Sequence, residues 1–543
     1  FQTLRPLDVN YKNNRNFFGA INVRNETDQL SSSSGLNPRI SALFGGKTKN
    51  GKFGMYASFL TSEGPRTFDG MFNRSGIADI KVDSNNDGVF DTANGDTLYE
   101  DVQVSGFPTL NPIEEQRERL AISSAMQWKP SNNLEIVADI LYSDFDNNSF
   151  RSLARPFLNN VYTNVFTPDN VEVRDGILRS YNSAGSFNAN TGDPTDAATI
   201  RYQSTEYNNL SENIMGGINL KWEKDGWKIL ADYSLSSIKF NQRLSVSAQR
   251  NALVPNISYD LNGEVPIVLF DQAAANDINN NTIRDNWFIW DRMLNGDNSA
   301  FRLDFNKEID DNFTLRFGAR FNSNTVESRQ AQKGGRGHSA DYLDPQSHYD
   351  RYLSPQSRDF LDGLNIGNNS WLAQNHEQIR LDHPEIYTLG AGSSFEGDLF
   401  SVTDGDLPLL RGNSFEVKEK SSSFYTQLDF KVDMGEESSI SGNIGIRAIQ
   451  TNVDARAFSS AIISDPTQSI PDIVLTDVPS TISSDRWDFT PSLNLNFNFK
   501  NTVNYRISVV KTVSRPALTD LAPRNVISAI NPNSPAFGTE NGT

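Results

Sequence analysis

The chain has 543 residues but contains no cysteine, and no run of about 18 apolar residues occurs anywhere in it. Without cysteine the protein forms no disulfide, which leaves its redox compartment open and is compatible with an oxidising one. Without a long apolar run it is not a helical membrane protein, because a transmembrane helix needs about 20 such residues.

Positive charge is also scarce in this sequence. The 49 Lys and Arg residues are outnumbered by 67 Asp and Glu, which gives a net charge of -18. Because nucleic-acid phosphates are bound mainly by Lys and Arg, we expect no nucleic-acid partner. The hydrophobic share of 37 % still permits a membrane β-barrel, whose lumen and loops are polar.

The clearest pattern that the sequence does contain lies between Leu493 and Val509. Leu and Phe alternate with Asn over Leu493–Phe499, and a second alternating run, Val503–Val509, follows a short connection. Side chains on a strand change face at every residue, so the two runs predict a hairpin with one apolar and one polar face. Strands that are apolar toward lipid and polar toward a lumen have this pattern.

Similar hairpins recur along the chain, and together they predict about 13 antiparallel strands. The paired runs are Arg39–Lys47 with Phe53–Ser62, Leu120–Trp128 with Leu134–Tyr142, Ile218–Trp222 with Trp227–Leu235, Phe301–Phe305 with Phe313–Phe321, and Phe424–Val432 with Ile440–Ala448. Trp128, Trp222, Trp227 and Trp487 stand near strand ends, where we expect them to form interfacial aromatic girdles. Trp also occurs at the ends of soluble hairpins, and that alternative stays open.

Long polar segments separate these hairpins, so short turns alternate with long connections. We interpret the segments as loops at about 63–116, 147–206, 244–298, 328–417 and 458–484. Such long connections are uncommon in compact soluble domains. They are typical of outer-membrane barrels, which have short periplasmic turns and long extracellular loops. The fold class predicted is therefore all-β, an antiparallel transmembrane β-barrel that this chain forms in part.

Four stretches, in order along the chain, resemble the TonB-dependent outer-membrane receptor family. They are Thr3–Asp8, Gly442–Arg447 with Thr451, Thr490–Asn494 and Val513–Pro523. The first resembles the exit from the family's plug domain into its barrel. The next two resemble barrel strands, with Thr490 where the family usually has Leu. The last resembles the family's Ser-Arg-Pro stretch.

This resemblance implies a 22-stranded barrel with an N-terminal plug, in the outer membrane of a Gram-negative bacterium. We expect residues 1–14 to be the end of the plug and its linker, and residues 15–543 to be a partial barrel with extracellular loops. Its partners would be membrane lipid, a small nutrient ligand, and the TonB complex, reached through the missing plug. The nutrient would be an oligosaccharide or a ferric siderophore.

One loop has the residue spacing of a calcium site. Asp83, Asn85, Asp87, Val89 and Asp91 match positions 1, 3, 5, 7 and 9 of a calcium-binding loop, with Gly88 at the sharp turn. Position 12 is Asn94 in place of the usual Glu. We expect a structural Ca²⁺ there, and the alternative is a polar loop without an ion. A second stretch, Asp277–Asp285, has similar spacing but lacks the Gly, so an ordinary loop is the better interpretation.

Other chemistry is weakly supported. His338, His348, His376 and His383 lack the spacing of a metal site, so we interpret them as solvated. No Gly-x-Ser-x-Gly motif accompanies the absent cysteine, and we expect no enzyme.

Further residues have two interpretations each. Loop aromatics either contact a ligand or pack the loops, and these are Trp287, Phe288, Trp290, Tyr349, Tyr352 and Trp371. Inward arginines either line the lumen or pair with Asp304 or Asp429, and these are Arg316, Arg320, Arg447 and Arg506.

The sequence leaves two function classes open. The first is TonB-dependent import of a scarce nutrient. The alternative is a surface barrel that does not transport, an adhesin or structural protein with calcium-stabilised loops. A soluble calcium-rich solenoid would show a short fixed repeat, and the sequence has none.

Overall fold

Most of the residues that the structure, a computed structural model, describes form β-strands. The structure describes residues 5–8, 16–26, 37–72, 75–105, 108–157, 163–194, 197–246, 249–263, 266–284, 287–335, 345–355, 360–361, 370–382, 413–435, 437–463, 474–500 and 502–523. No helix in these ranges is long and apolar enough to cross a membrane.

The described strands are, in chain order, β1 (Phe17–Asn25), β2 (Pro38–Lys47), β3 (Phe53–Phe72), β4 (Ser75–Val82), β5 (Thr97–Ser105), β6 (Thr109–Ser131), β7 (Leu134–Phe157), β8 (Asn164–Phe166), β9 (Val171–Arg174), β10 (Ile177–Asn182), β11 (Phe187–Asn188), β12 (Ala198–Lys224), β13 (Trp227–Val246), β14 (Gln249–Val254), β15 (Ile257–Asp260), β16 (Ile267–Phe270), β17 (Asn281–Arg284), β18 (Trp287–Glu308), β19 (Phe313–Gly335), β20 (Leu353–Pro355), β21 (Leu372–Gln374), β22 (Phe415–Gly435), β23 (Ser438–Ile463), β24 (Val474–Phe499) and β25 (Val503–Val510). The α-helices among these residues are α1 (Gln272–Asn276), α2 (Pro345–Tyr352) and α3 (His376–Asp382). Short 3-10 turns occur at Thr92–Asn94, Pro168–Asn170, Ile278–Asn280 and Leu518–Leu521.

The large sheet follows one path through thirteen strands, β1-β2-β3-β6-β7-β12-β13-β18-β19-β22-β23-β24-β25, and β14 and β17 extend it locally. Neighbours along this path are antiparallel, and short turns join alternate pairs. The partial antiparallel barrel and the strand number expected from the sequence are both confirmed.

The predicted hairpins form with the predicted turns. In the β12–β13 hairpin, Lys224 pairs with Trp227, so the loop consists of Asp225 and Gly226 alone. Their φ angles of 51° and 73° are both positive, as a type I′ turn requires. Asp and Gly tolerate this backbone, which explains why this turn was readable from the sequence.

The apolar faces of the hairpins are exposed and carry no second layer of protein among the described residues. Large apolar side chains that the alternation placed on this face are exposed on every part of the sheet, and they include Phe17, Phe44, Ile122, Ile140, Ile218, Phe301, Phe424, Ile444 and Ile507. A soluble sandwich would cover them, because burying each such side chain contributes about 1.5–3 kcal/mol.

Most of this exposed apolar stripe lies in the part of the sheet nearest the short turns. We call this part the turn-proximal band; on β7 it is Leu134–Tyr142. Trp128 lies at its turn side and Trp487 at its other side, and both are exposed. At about 3.3 Å per residue and a tilt of about 45°, the stretch from Trp487 to Phe499 rises roughly 28 Å, close to the apolar band of outer-membrane barrels.

The strands continue far beyond this band into what we call the distal extension, which on β7 is Ser143–Phe157. β12 has 27 residues and β7 has 24, so β12 is about 90 Å long. The segments interpreted as loops therefore begin and end as strand: β3 reaches Phe72 and β6 starts at Thr109, both within 63–116.

A second sheet of eight strands is built from three of the same segments. Its path is β11-β8-β4-β5-β10-β15-β16, with β9 paired to β10. Two of its contacts, β4 with β8 and β5 with β10, are parallel and join chain segments far apart in sequence. These connections are thus structured, although the sequence suggested only polar loops.

This second sheet packs on the face of the distal extension that continues the apolar face of the band. The core between them contains Leu110, Ala154, Ala198, Ile200 and Tyr202 from the large sheet. Facing them are residues of the second sheet, which include Ile80, Val102, Phe166, Tyr181 and Tyr259. The distal extension and the second sheet are therefore one packed unit.

Candidate functional site

The opposite, polar face of the distal extension carries a continuous row of amide and guanidinium side chains. Cross-strand partners in register across six strands are Arg117, Asn147, Asn209, Gln242, Arg292 and Gln330. We call these six residues the polar row. In this row, Gln242 Nε2 donates to Asn209 Oδ1 at 2.8 Å. No residue of the row is apolar, and its side chains offer hydrogen-bond donors and acceptors.

Aromatic side chains flank the polar row on both sides. The row nearer the turns contains Phe145 and Phe240, which are opposite Ser211. The row farther from the turns contains Tyr207 and Trp290, which are opposite Leu244. Aromatic rings next to fixed hydrogen-bonding groups are the usual lining of a ligand site.

Some polar atoms of this wall have no hydrogen-bonding partner among the described residues. Asn111 Oδ1, Asn147 Oδ1 and Ser149 Oγ are buried and unsatisfied, as is Arg151 Nε. Leaving a buried polar group unpaired costs about 1–3 kcal/mol, so water or a ligand group must pair with such atoms. Glu115 is better satisfied, because it accepts from Asn147 Nδ2 at 3.4 Å and pairs with Arg117.

Three arginines of the same wall lie over aromatic rings. The guanidinium carbon of Arg151 is 4.1 Å from the ring centroid of Tyr207, and that of Arg201 is 4.3 Å from Phe157. Arg119 lies 5.0 Å from Phe145. Such cation–π contacts hold the guanidinium groups in fixed orientations.

Residues 5–8 lie against the polar face at the turn end of the sheet. Leu7 N donates to Gln127 Oε1 at 2.8 Å, and Gln127 Nε2 donates to Glu135 Oε1 at 2.6 Å. Arg5 also contacts Glu135, at 3.6 Å. A Cβ added at Gly54 would meet Leu7 at 3.0 Å, so this glycine lets the segment approach the wall. The segment therefore enters the sheet's polar side from the turn end.

The predicted calcium loop has the backbone of such a loop. Asn86 and Gly88 have φ angles of 59° and 81°. Asp83 Oδ2 accepts from Gly88 N at 2.9 Å, Asn85 Oδ1 from Asp87 N at 2.9 Å, and Asp87 Oδ1 from Val89 N at 2.9 Å.

The same loop does not gather its carboxylates around one point. Asp91 N donates to Asp96 Oδ2 at 2.7 Å, and Asp83 and Asp96 are both buried. Over the ranges that the structure covers, no three acidic or His side chains form a group that could hold a metal ion. The turn geometry therefore fits an ion loop, while the carboxylates would have to rotate to surround an ion.

Other residues considered from the sequence serve packing. Asn281, in the second Asp/Asn stretch, accepts from Arg250 Nη1 at 3.0 Å and donates to Ala275 O at 3.2 Å, so its amide is already used. Trp371 and Tyr352 are buried, which favours packing over ligand contact for both.

The remaining loop residues are described only in part. Trp290 faces the polar side in the row beside the polar row. His338 and His383 lie outside the described residues, and His348 and His376 are described only as members of α2 and α3. For Trp287 and Phe288 only membership of β18 is described.

Arg250 was not singled out by the sequence, yet it ties several loop segments together. It is fully buried. Its Nη1 donates to Ala275 O at 3.1 Å and to Tyr349 OH at 3.1 Å, and its Nη2 donates to Leu372 O at 3.3 Å. On the other side, Tyr202 stacks on the guanidinium at 4.1 Å. Burial lowers the pKa of Arg250 and raises that of Tyr202.

Within the turn-proximal band, inward arginines form ion pairs, one between two strands and one within a strand. Arg316 pairs with Asp429, and Arg302 pairs with Asp304, which also accepts from Tyr425 OH at 2.8 Å. Arg447 lies 5.3 Å from the ring of Tyr425. These ion pairs fit a structural role in the wall. The arginines that lie over aromatic rings are farther from the turns, in the distal extension.

The polar row was missed because its members are far apart in sequence. Each is an ordinary polar residue in an alternating strand, and only the register across six strands brings them together. The sequence indicates that each residue of the polar row lies on the polar face of its strand. It does not indicate which residue lies opposite on the neighbouring strand.

A comparison with family models gives one match. The model of the TonB dependent receptor-like β-barrel covers residues 226–542, which is more than half of the chain. Among the curated proteins, nothing matches this chain.

Proposed function

Because this chain belongs to the TonB-dependent receptor-like β-barrel family, we propose that it takes part in the import of an oligosaccharide across the outer membrane. Members of the family are transporters of Gram-negative outer membranes and not enzymes, and their transport depends on TonB. The proposal includes the class of sugar, the residues that contact it and the side of the membrane on which the site lies.

The observation that carries this proposal is the polar row between two rows with aromatic side chains. A sugar ring has an apolar face that stacks on an aromatic ring and a rim of hydroxyls that pair with amides and guanidinium groups.

Height above the turns supports a vestibule on the external side. On β7, Asn147 is thirteen residues beyond Leu134, so the polar row lies roughly 30 Å above the turns. If the short turns face the periplasm, as in other outer-membrane barrels, the row lies at the external surface. A ligand from the medium reaches this level first.

The opposite end of the lumen fits the expected link to a plug. Residues 5–8 contact Gln127 and Glu135 at the turn end. A plug that precedes this segment would occupy the lumen below the polar row. TonB would then pull on the plug while the barrel wall stays fixed.

Loss of the polar row tests the proposal directly. In the complete receptor, Asn209→Ala with Gln242→Ala is expected to weaken oligosaccharide binding at least tenfold and to slow growth on that sugar. Ser237→Ala, on the outer face of β13, is the matched control and is expected to change neither. Equal oligosaccharide binding by both variants would contradict the site. A growth defect seen only with ferric siderophores would mean that the ligand is an iron chelate and not a sugar.

The second candidate function, a surface barrel that does not transport, differs in one observable. Its loops would bind a partner without uptake. Labelled oligosaccharide that accumulates in cells only when TonB is present supports import. Binding without accumulation supports the alternative.

We also propose that the loop formed by Asp83, Asn85, Asp87, Val89 and Asp91 holds a structural Ca²⁺. Its turn geometry supports this, and the ion would supply positive charge that pins the loop. With Ca²⁺, the loop should resist proteolysis, and Asp87→Ala with Asp91→Ala should abolish the difference. Equal cleavage of the parent protein with and without Ca²⁺ would reject the ion.

A further inference from the structure

Charge is divided between the two faces of the distal extension to a degree that the fold does not require. On the polar face of residues 109–119, 144–157 and 198–210, the charged residues are Arg117, Arg119, Arg151, Arg155, Arg201 and Glu115. On the opposite face of the same residues, they are Glu114, Glu118, Asp144, Asp146 and Glu206. One face thus has five bases and one acid, and the other has acids alone.

Two of these arginines are direct cross-strand neighbours. Arg155 on β7 pairs in register with Arg201 on β12. Like charges in opposite positions of a sheet destabilise it. Arg155 Nε donates to the neutral Thr109 Oγ1, at 3.2 Å, and burial lowers the pKa of Arg155. Arg201 Nε donates to Asn251 Oδ1 at 3.2 Å. An anionic ligand group beside Arg155 would offset the repulsion.

Three arginines of this wall have no carboxylate partner among the described residues. Among the described residues, Arg119, Arg151 and Arg155 make no ion pair, although the protein as a whole has an excess of acids. Arg119 and Arg151 are instead held over Phe145 and Tyr207. Guanidinium groups fixed in this way are ready to bind a carboxylate or sulfate in two-pronged contacts.

The wall is also continuous from the outer end to the polar row. Arg155 and Arg201 lie farthest from the turns, Arg151 lies between, and Arg117 belongs to the polar row itself. Their spacing along β6, β7 and β12 covers eight residues on β7, which is about 26 Å, the length of several sugar units. A chain with a charge on each unit would meet one arginine after another.

We infer that the ligand of this wall is an acidic oligosaccharide whose units carry carboxylates, and that Arg155 and Arg151 select it over neutral sugars. This inference rests on the proposed function and adds the charge of the substrate to it. Sulfate groups on a sugar chain are also anions that pair with guanidinium groups. The experiment therefore distinguishes sulfated sugars from sugars with carboxylates.

The test compares acidic oligosaccharides with carboxyl-reduced forms of the same chains, using the complete receptor in detergent. The probes are uronate oligosaccharides of several linkages, their reduced neutral forms and sulfated sugars of similar length, and affinity is measured by calorimetry. We expect at least one uronate chain to bind, with a loss of about tenfold or more on reduction. We also expect affinity to fall as salt is raised, because the contacts are ionic.

The outcomes separate this inference from the proposed function. Equal affinity for a uronate chain and its reduced form would overturn the charge selection and leave sugar import standing. If sulfated sugars bind and uronates do not, the inference that the ligand carries carboxylates is overturned. Absence of binding by every sugar would overturn both.

A charge-neutral variant completes the design. Arg155→Gln is expected to weaken binding of the uronate chain about tenfold and binding of a reduced chain much less. Asp146→Asn, on the opposite face of β7, changes the net charge in the same strand and is expected to have no effect. If both variants change affinity alike, the arginine wall does not select the ligand. Thermal unfolding of each variant checks that the fold is intact.

Discussion

The turn-proximal band and the distal extension are two halves of the same strands, yet the same face meets different surroundings in each. On β7, Ile140 and Ala154 lie on one face; Ile140 is 47 % exposed and Ala154 is completely buried. No described protein covers Ile140, whereas Ala154 lies under the second sheet. The alternation of side chains is therefore necessary for both halves, but it does not tell which partner the face meets.

Side-chain size on the outward face varies within both halves. In the band, Ile140 is large and Ala138 is small. In the extension, the outward residues at the core with the second sheet include both small and large ones: Ser152, Ala154, Ala198, Leu110, Ile200 and Tyr202. Protein packs at a fixed density, so the side chains beneath the second sheet have to match its shape.

The largest effect is expected from a charge on the outer face of the band. Ile140→Arg places a charge at mid-bilayer, where it costs about 2–4 kcal/mol, and should strongly reduce assembled receptor. Asn148→Arg, on the same face of β7 in the extension, should be tolerated because Asn148 is exposed to water. The amount of heat-modifiable receptor in outer membranes measures the assembly of both variants. Equal tolerance would contradict the division into halves.

Removal of the buried Arg250 should loosen the extension alone. Hydrogen bonds of a charged group contribute about 1.5–3 kcal/mol, so Arg250→Gln should destabilise the packed unit by a similar amount. Hydrogen exchange should rise in α1, α2 and β21 and stay unchanged in the band. Faster exchange in both halves would show that they unfold together.

Added volume should distinguish lipid from protein as the neighbour of one face. Ala154→Leu inserts a larger side chain under the second sheet and should cost about 1–3 kcal/mol. Ala138→Leu, on the same face of the same strand in the band, should be nearly neutral. Denaturant unfolding followed by proteolysis of the extension measures both variants. A larger loss of stability in Ala138→Leu than in Ala154→Leu would contradict the assignment of lipid to the band and of protein to the extension.

The smallest effect is expected at Tyr202, whose hydroxyl has no partner among the described residues. Tyr202→Phe should change stability by less than about 0.5 kcal/mol at neutral pH. Burial raises the pKa of Tyr202, so its contribution is complete below the unfolded value of about 10 and is lost as pH rises through the folded value.

Alkaline unfolding of the distal extension should therefore be less steep in this variant than in the parent protein. Fluorescence of Trp371, which lies 6.4 Å from Tyr202 between ring centroids, follows the transition. Identical alkaline midpoints would show that Tyr202 does not control it.

Much of the large sheet was predictable because its signals are local. An Asp-Gly turn, as at Asp225 and Gly226, and strict alternation on both sides are contained in about 20 residues. The second sheet had no such signal, since its strands are short and β4 meets β8 through a parallel contact between separate segments. Its polar stretches resemble loops until the whole fold brings them together.

The candidate site shows the same limit. The sequence placed Arg316 on the inward face of a predicted strand and left open whether it lines the lumen or pairs with an acid; the structure pairs it with Asp429. The polar row and the pair Arg155–Arg201 depend on register between strands that lie up to two hundred residues apart, which no local pattern fixes. The calcium loop, by contrast, is a local pattern, and its occupancy stays a prediction.

The central claim is that the apolar face of the band meets lipid while the polar face meets water in a lumen. The chain has no native cysteine, so single cysteines along β7 can carry a spin label, and oxygen and a water-soluble nickel chelate then report lipid and water. The account predicts high oxygen access at Ile136, Ala138 and Ile140, chelate access at the inward Asp139 and Leu141, and chelate access at the outward Asp146 and Asn148 above the band. Chelate access that does not alternate within the band would contradict it.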